Sequence, residues 1–91
     1  MSYTRLNPRI KTSSNSAAFT IGANGRTTVD ISLPTPSGYM FCGVIKLTTT
    51  NTWVDVTGWE YGSGNLTVSL RNHNNTQYTA TAVASVSFMP S

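Results

Sequence analysis

Tyr78-Thr79-Ala80-Thr81-Ala82-Val83-Ala84-Ser85-Val86-Ser87-Phe88, near the C-terminal end of the chain, decides the fold. Tyr78, Ala80, Ala82, Ala84, Val86 and Phe88 share one parity, and Thr79, Thr81, Ser85 and Ser87 share the other. A period of two held over about a dozen residues is a half-buried strand, because successive side chains of an extended backbone project to opposite faces. Upstream lies a polar turn, Arg71-Asn72-His73-Asn74-Asn75-Thr76, and before it a second alternating run, Leu66-Thr67-Val68-Ser69-Leu70. The expected ending is a β-hairpin that closes a small all-β domain. The alanines at 80, 82 and 84 invite close approach, either by large residues of an opposite sheet such as Phe41 and Trp53 or by a neighbouring subunit.

The same reading extends toward the N-terminus. Phe19 and Ile21 face inward on a first strand that starts at Ala17. Asn24-Gly25 marks a tight reversal, since a type I′ turn needs positive φ at both central residues. Val29, Ile31 and Leu33 face inward on a second strand, with Asp30 and Ser32 outward, and Pro34-Thr35-Pro36-Ser37-Gly38 ends it. Tyr39 to Leu47 is apolar on both parities, which predicts a central strand covered on both faces, with Cys42 as a buried, inert thiol. In Trp53-Val54-Asp55-Val56-Thr57-Gly58-Trp59-Glu60-Tyr61, Val54 and Val56 point to the core. Regular alternation then puts Trp53, Asp55, Thr57, Trp59 and Tyr61 on the other face, and Gly58 suits a bulge. The prediction is an all-β, small antiparallel β-sandwich, jelly-roll-like, of about six strands. Residues 17–91 form the domain and residues 1–16 an extended arm or linker.

Composition narrows the function. Only 10% of the 91 residues are charged, against about 25% in ordinary proteins, and Thr, Ser and Asn occupy roughly a third of the chain. Such a surface suits side-by-side stacking or polar, uncharged ligands such as glycans, although Thr is also simply a good strand residue. The net charge of +3 reflects scarce acids, Asp30, Asp55 and Glu60, rather than dense bases. Arg5, Arg9 and Lys11 lie in the N-terminal segment, while Arg26, Lys46 and Arg71 read as isolated. Nucleic-acid binding, which needs a concentrated basic face, is not expected. One cysteine excludes an internal disulfide and a cysteine-based zinc site. No stretch reaches the ~18–20 apolar residues of a membrane span, and residues 1–20 lack the apolar core of a secretory leader.

Catalysis is not expected. His73, the sole histidine, falls in a polar turn, with Asp30 and Asp55 on outward strand faces. Asp55 and Glu60 differ by an odd number, so a regular strand separates them and only a bulge at Gly58 would reunite them. Neither a clustered carboxylate site for a metal nor a phosphate loop is present, and no cofactor is implied. The candidate ligand-binding residues are Trp53, Asp55, Trp59 and Tyr61: aromatic rings stack on the apolar face of a sugar while neighbouring polar groups read its hydroxyls. The competing reading places one or both tryptophans in the core or at a subunit interface.

The C-terminal half resembles a known kind of domain. Leu33-Pro34, Ser37-Gly38-Tyr39, Trp53-Val54, Asn65-Leu66-Thr67-Val68-Ser69-Leu70-Arg71-Asn72 and Tyr78-Thr79-Ala80-Thr81-Ala82-Val83 together are similar to the C-terminal knob, or receptor-binding, domains of tailed-phage tail fibres and related virion proteins. The resemblance covers residues ~17–89 and marks a sandwich ending more than a function. The chain departs from it by finishing Phe88-Met89-Pro90-Ser91 rather than in an apolar-tyrosine run. The resemblance implies a homotrimeric, non-enzymatic fibre-tip module that touches a bacterial surface glycan or protein. It also implies a virion location, assembly in the host cytoplasm, and attachment to other virion proteins through the N-terminal arm. The alternative is a structural virion protein, for capsid decoration or fibre trimerisation, without a receptor.

Overall fold

Each of the two alternating runs becomes the middle strand of its own sheet. The computed structural model describes residues 9–91, and these form β1 (Lys11–Ile21), β2 (Arg26–Ser32), β3 (Tyr39–Thr49), β4 (Val54–Gly62), β5 (Asn65–Asn72) and β6 (Tyr78–Pro90). One antiparallel sheet, here sheet A, runs β1-β6-β3, and the other, sheet B, runs β2-β5-β4. The two pack as a small β-sandwich. Ala80, Ala82, Ala84, Val86 and Phe88 of β6 are buried, as are Leu66, Val68 and Leu70 of β5, joined by Phe19, Ile21, Ile31, Leu33 and Val54. The small side chains of β6 therefore belong to the same core as the large ones of β5, which fills the layer without overpacking it. Burial of each such Leu or Val contributes about 1.5–3 kcal/mol.

The expected terminal hairpin does not form. β5 and β6 lie in different sheets, and residues 73–77 carry the chain from one layer to the other. Asn24-Gly25 behaves likewise. Asn24 has the positive φ of 53° that its turn requires, and Gly25 N–H donates to Gly22 C=O at 3.0 Å, yet β1 and β2 enter opposite sheets. A corner of this kind brings Phe19 and Ile21 over Ile31 from opposite layers, whereas a flat hairpin would set them side by side with one face uncovered. Only β4 and β5 are consecutive within a sheet, joined through Ser63 and Gly64 at φ 52° and 77°. That is the left-handed pair whose twist matches two antiparallel strands.

β3 corrects the sequence reading most. It is an edge strand, not a central one, and its pairing with β6 shifts register between Phe41 and Gly43 and again between Val44 and Lys46. Cys42 and Ile45 are thus the extra residues of two bulges. Phe41, Val44 and Leu47 all turn inward despite their spacing of three, because each bulge resets the phase. Met40, Cys42 and Ile45 stay exposed, so the thiol is at the surface rather than buried. The large residues expected over the alanines are elsewhere too. Phe41 sits beside β6 in the same sheet, and Trp53 is 51% exposed at the β3–β4 turn.

β1 begins at Lys11, so residues 11–16 of the expected arm pair with β6, from Lys11↔Phe88 to Ser16↔Val83. Residues 9 and 10 precede the strand, and residues 1–8 of that arm lie outside the described residues. On the inward parity this end of β1 carries Lys11, Ser13 and Asn15. Asn15 Nδ2 donates to Ser32 C=O at 2.8 Å, and Lys11 Nζ lies 4.7 Å from the centre of the Tyr39 ring. Polar residues turned inward on an edge strand discourage pairing with a foreign strand.

Candidate functional site

Because Leu66, Val68 and Leu70 are buried, Thr67, Ser69 and Arg71 project from the outer side of sheet B. The register then builds rows across that surface. Arg26, Arg71 and Asp55 form one row, and Asp30, Thr67 and Glu60 form another four residues further along β5. All three acids of the chain and two of its six basic residues therefore share one sheet face.

The bulge in β4 decides who else joins them. Pairing with β5 shifts between Val56 and Gly58, which makes Thr57 the extra residue. Before the bulge, Val54 and Val56 point inward while Asp55 points outward, as expected. After it the phase is inverted, so Trp59 and Tyr61 face the same side as Val68 and Leu66. The expected common face of Trp53, Asp55, Trp59 and Tyr61 is therefore split in two.

Tyr61 closes the β3–β4 side of the sandwich. Its ring stacks on Phe41 at 4.3 Å and meets Phe88 edge-on at 6.0 Å. Its hydroxyl donates to Leu33 C=O at 2.7 Å and accepts from Thr35 Oγ1 at 2.6 Å. Trp59, 47% exposed, packs its edge against Phe41 at 5.8 Å. Tyr61 closes this side of the core, and Trp59 lies on its rim, half exposed.

Trp53 and Asp55 remain together, at the other end of β4, and His73, expected only as a solvated turn residue, comes to meet them. His73 N–H donates to Trp53 C=O at 2.9 Å, which extends the β4–β5 ladder and sets the two residues opposite each other. The imidazole Nε2 of His73 lies 2.9 Å from Asp55 Oδ2, so the turn histidine is held rather than merely solvated. Asn72, buried beside it, fixes the loop. Its Nδ2 donates to Gly22 C=O at 3.0 Å and Thr76 C=O at 2.7 Å, and its Oδ1 accepts from Asn74 N–H at 2.9 Å. Asn51 Oδ1 accepts from Trp53 N–H at 2.8 Å and fixes the tryptophan's backbone.

Arg26 and Arg71, which read as isolated in the sequence, are direct cross-strand partners. Like charges opposite one another destabilise a sheet. Among the described residues neither forms an ion pair, and Arg71 Nε is buried without a hydrogen-bond partner. Beside them the bulge opens a groove of about 570 Å³ lined by Arg26, Thr27, Thr28, Thr57, Ser69 and Leu70. No sequence signal could have joined Arg26 to Arg71, because their pairing depends on strands 45 residues apart finding one register.

Acid–base chemistry has little to work with here. The bulge does bring Asp55 and Glu60 to the same face, but four strand residues apart, about 13 Å, beyond the ~6.5–9.5 Å of paired glycosidase carboxylates. Asp30 is engaged by Thr67, whose Oγ1 donates to it at 2.7 Å. No cluster of His, Cys, Asp and Glu suited to a metal occurs among the described residues. The arrangement can hold a ligand: an exposed indole, guanidinium donors, a carboxylate acceptor and hydroxyls on rigid strands. Comparison with protein-family models, curated proteins and solved structures finds no match for the chain.

Proposed function

We propose that the chain is a non-enzymatic phage virion module that recognises a bacterial surface glycan or surface protein at the tip of a tail fibre. The observation that carries this reading is the convergence of Trp53, His73, Asp55, Arg71 and Arg26 at one end of the outer face of sheet B. An exposed indole offers a stacking plane, and the flanking charged groups offer donors and acceptors that read hydroxyls. All are mounted on strands and a pinned loop, so little ordering cost is added on binding. The resemblance to fibre-tip domains supports the same assignment, and with it a homotrimer.

A glycan array together with adsorption to host cells tests the proposal. Saturable binding that is lost in Trp53→Ala, with an unchanged unfolding midpoint, supports it. Clean negatives on both the array and the native host overturn it.

The second reading, a structural virion protein without a receptor, is favoured by one observation. Met40 and Met89 pair across strands on the outer face of sheet A, Ile45 is exposed on the same strand, and Ile10 stands one step beyond the β1–β6 register. An apolar group of this kind suits subunit packing. Light scattering separates the elements of the two readings: a stable trimer that binds no host glycan favours the structural one.

A further inference from the structure

The geometry points to an anion subsite at Arg26 and Arg71 for the carboxylate of an acidic sugar, so that the ligand class of this face is a glycan containing uronic acid. This rests on the glycan-recognition reading above and adds the chemical group that would be selected. Three independent features of the face support it.

The first is an unpaid electrostatic cost. Two guanidinium groups stand opposite each other on β2 and β5, and neither finds a carboxylate within ion-pair distance among the described residues. Asp55, the neighbour of Arg71 on β4, is turned to His73 instead. Arg71 Nε is shielded from solvent and has no acceptor. A planar carboxylate placed between the two guanidinium groups relieves their like-charge repulsion.

The second is charge count and spacing. Two guanidinium charges against the Asp55 carboxylate leave the row at net +1, which matches a monoanion. One row system further, about 13 Å along the strands, Asp30 and Glu60 flank Thr67. A polyanion such as a nucleic acid would run from the arginines onto those carboxylates. A single carboxylate on an otherwise neutral, hydroxylated ligand would not.

The third is the shape beside the arginines. The groove of about 570 Å³ presents Thr28, Thr57 and Ser69, a size in the range of small-molecule sites. Three hydroxyls set among apolar surface suit a pyranose ring, which offers hydroxyls and an apolar face together. Gly58 stands opposite Ser69, one of the residues that line the groove. A Cβ added there meets nothing within 4 Å, and its φ lies outside the left-handed region, so the position accepts a side chain that would stand beside Ser69 at the groove.

The test uses the full chain titrated with three probes: a glucuronate-containing tetrasaccharide, its carboxyl-reduced neutral counterpart, and a tetraglutamate peptide. The Arg71 Nε–Hε resonance is followed alongside calorimetry. The expected result is preference for the acidic tetrasaccharide by roughly tenfold or more over the neutral one, weakening with salt, with a shift of the Arg71 Nε–Hε signal. Arg71→Ala and Arg26→Ala abolish that preference, and Gly58→Leu blocks both saccharides while leaving the unfolding midpoint near that of the parent. Equal affinity for the two saccharides, or a preference that survives both arginine variants, overturns the subsite while leaving glycan recognition standing. Binding of tetraglutamate with neither saccharide overturns it in favour of a protein ligand. If no saccharide binds and host cells are not adsorbed either, the glycan reading itself has failed.

Discussion

The two outer faces of the sandwich are built from the same residue types in different arrangements. On sheet A the central strand shows Thr79, Thr81, Val83, Ser85 and Ser87. Its neighbours answer with hydroxyl pairs, Ser14 with Ser85 at 2.7 Å and Thr20 with Thr79 at 3.1 Å, while the exposed methionines pair at one end and Ile45 lies exposed in mid-strand. On sheet B the central strand shows Thr67, Ser69 and Arg71, and its neighbours answer with Arg26, Asp30, Asp55 and Glu60. Charge is thus concentrated on one face, while the other satisfies its hydroxyls laterally. A chain with few charges has placed most of them where they bear on one another. The scarcity that looked like blandness in the composition is the background against which one charged surface stands out.

Variants can break this contrast or sharpen it. The largest loss is expected from Phe88→Ala. Phe88 is buried and meets Phe41 edge-on at 6.2 Å as well as Tyr61, so the change should cost about 3–5 kcal/mol in urea unfolding and loosen both faces together. Asn72→Ala should come next, at about 1–3 kcal/mol. It leaves Thr76 C=O without its side-chain donor and Gly22 C=O with Gly25 N–H alone, and it frees the loop that carries His73, so amide exchange should rise at the sheet B end and not on sheet A. Tyr61→Phe keeps the stack on Phe41 but removes the hydroxyl bonded to Leu33 and Thr35, for about 1 kcal/mol in the same unfolding assay, with glycan binding unchanged. The smallest effect on stability, within about 0.5 kcal/mol, is expected for the pair Met40→Ser and Ile45→Thr. If sheet A packs against other subunits, these changes reduce the mass measured by light scattering while binding at sheet B in dilute monomer persists.

How much of this was legible in the sequence depended on bulges. β2, β5 and β6 alternate without interruption, and their inward residues, from Ile31 through Leu70 to Phe88, follow directly from parity. β3 and β4 each defeat parity at one or two residues. Tyr39 to Leu47 looked covered on both faces only because Cys42 and Ile45 are inserted between inward residues. Gly58 signalled the bulge beside it, but not that the phase beyond would turn Trp59 and Tyr61 toward the core. A bulge is defined by the partner strand, and the partner of β3 is the last strand of the chain. The site was half legible for the same reason. Trp53 and Asp55 are local to one strand, whereas His73, Arg71 and Arg26 join them through pairings that no window of sequence contains.

The placement of β6 governs the order in which the molecule can come into being. Lys11 pairs with Phe88 and Tyr39 with Pro90, so both flanking strands of sheet A wait on residues at the far end of the chain. During synthesis the β4–β5 hairpin, closed by two residues, can form as soon as it emerges, and β2 can join it. β1 and β3 meanwhile have no partner, and their edges stay open until β6 has been made. Closing loops of this length is slow, and unpaired strands are prone to foreign pairing in the interval. Sheet B is therefore the natural folding nucleus and sheet A the finishing step. Loss of the last dozen residues would remove the middle of one entire layer rather than trim an end.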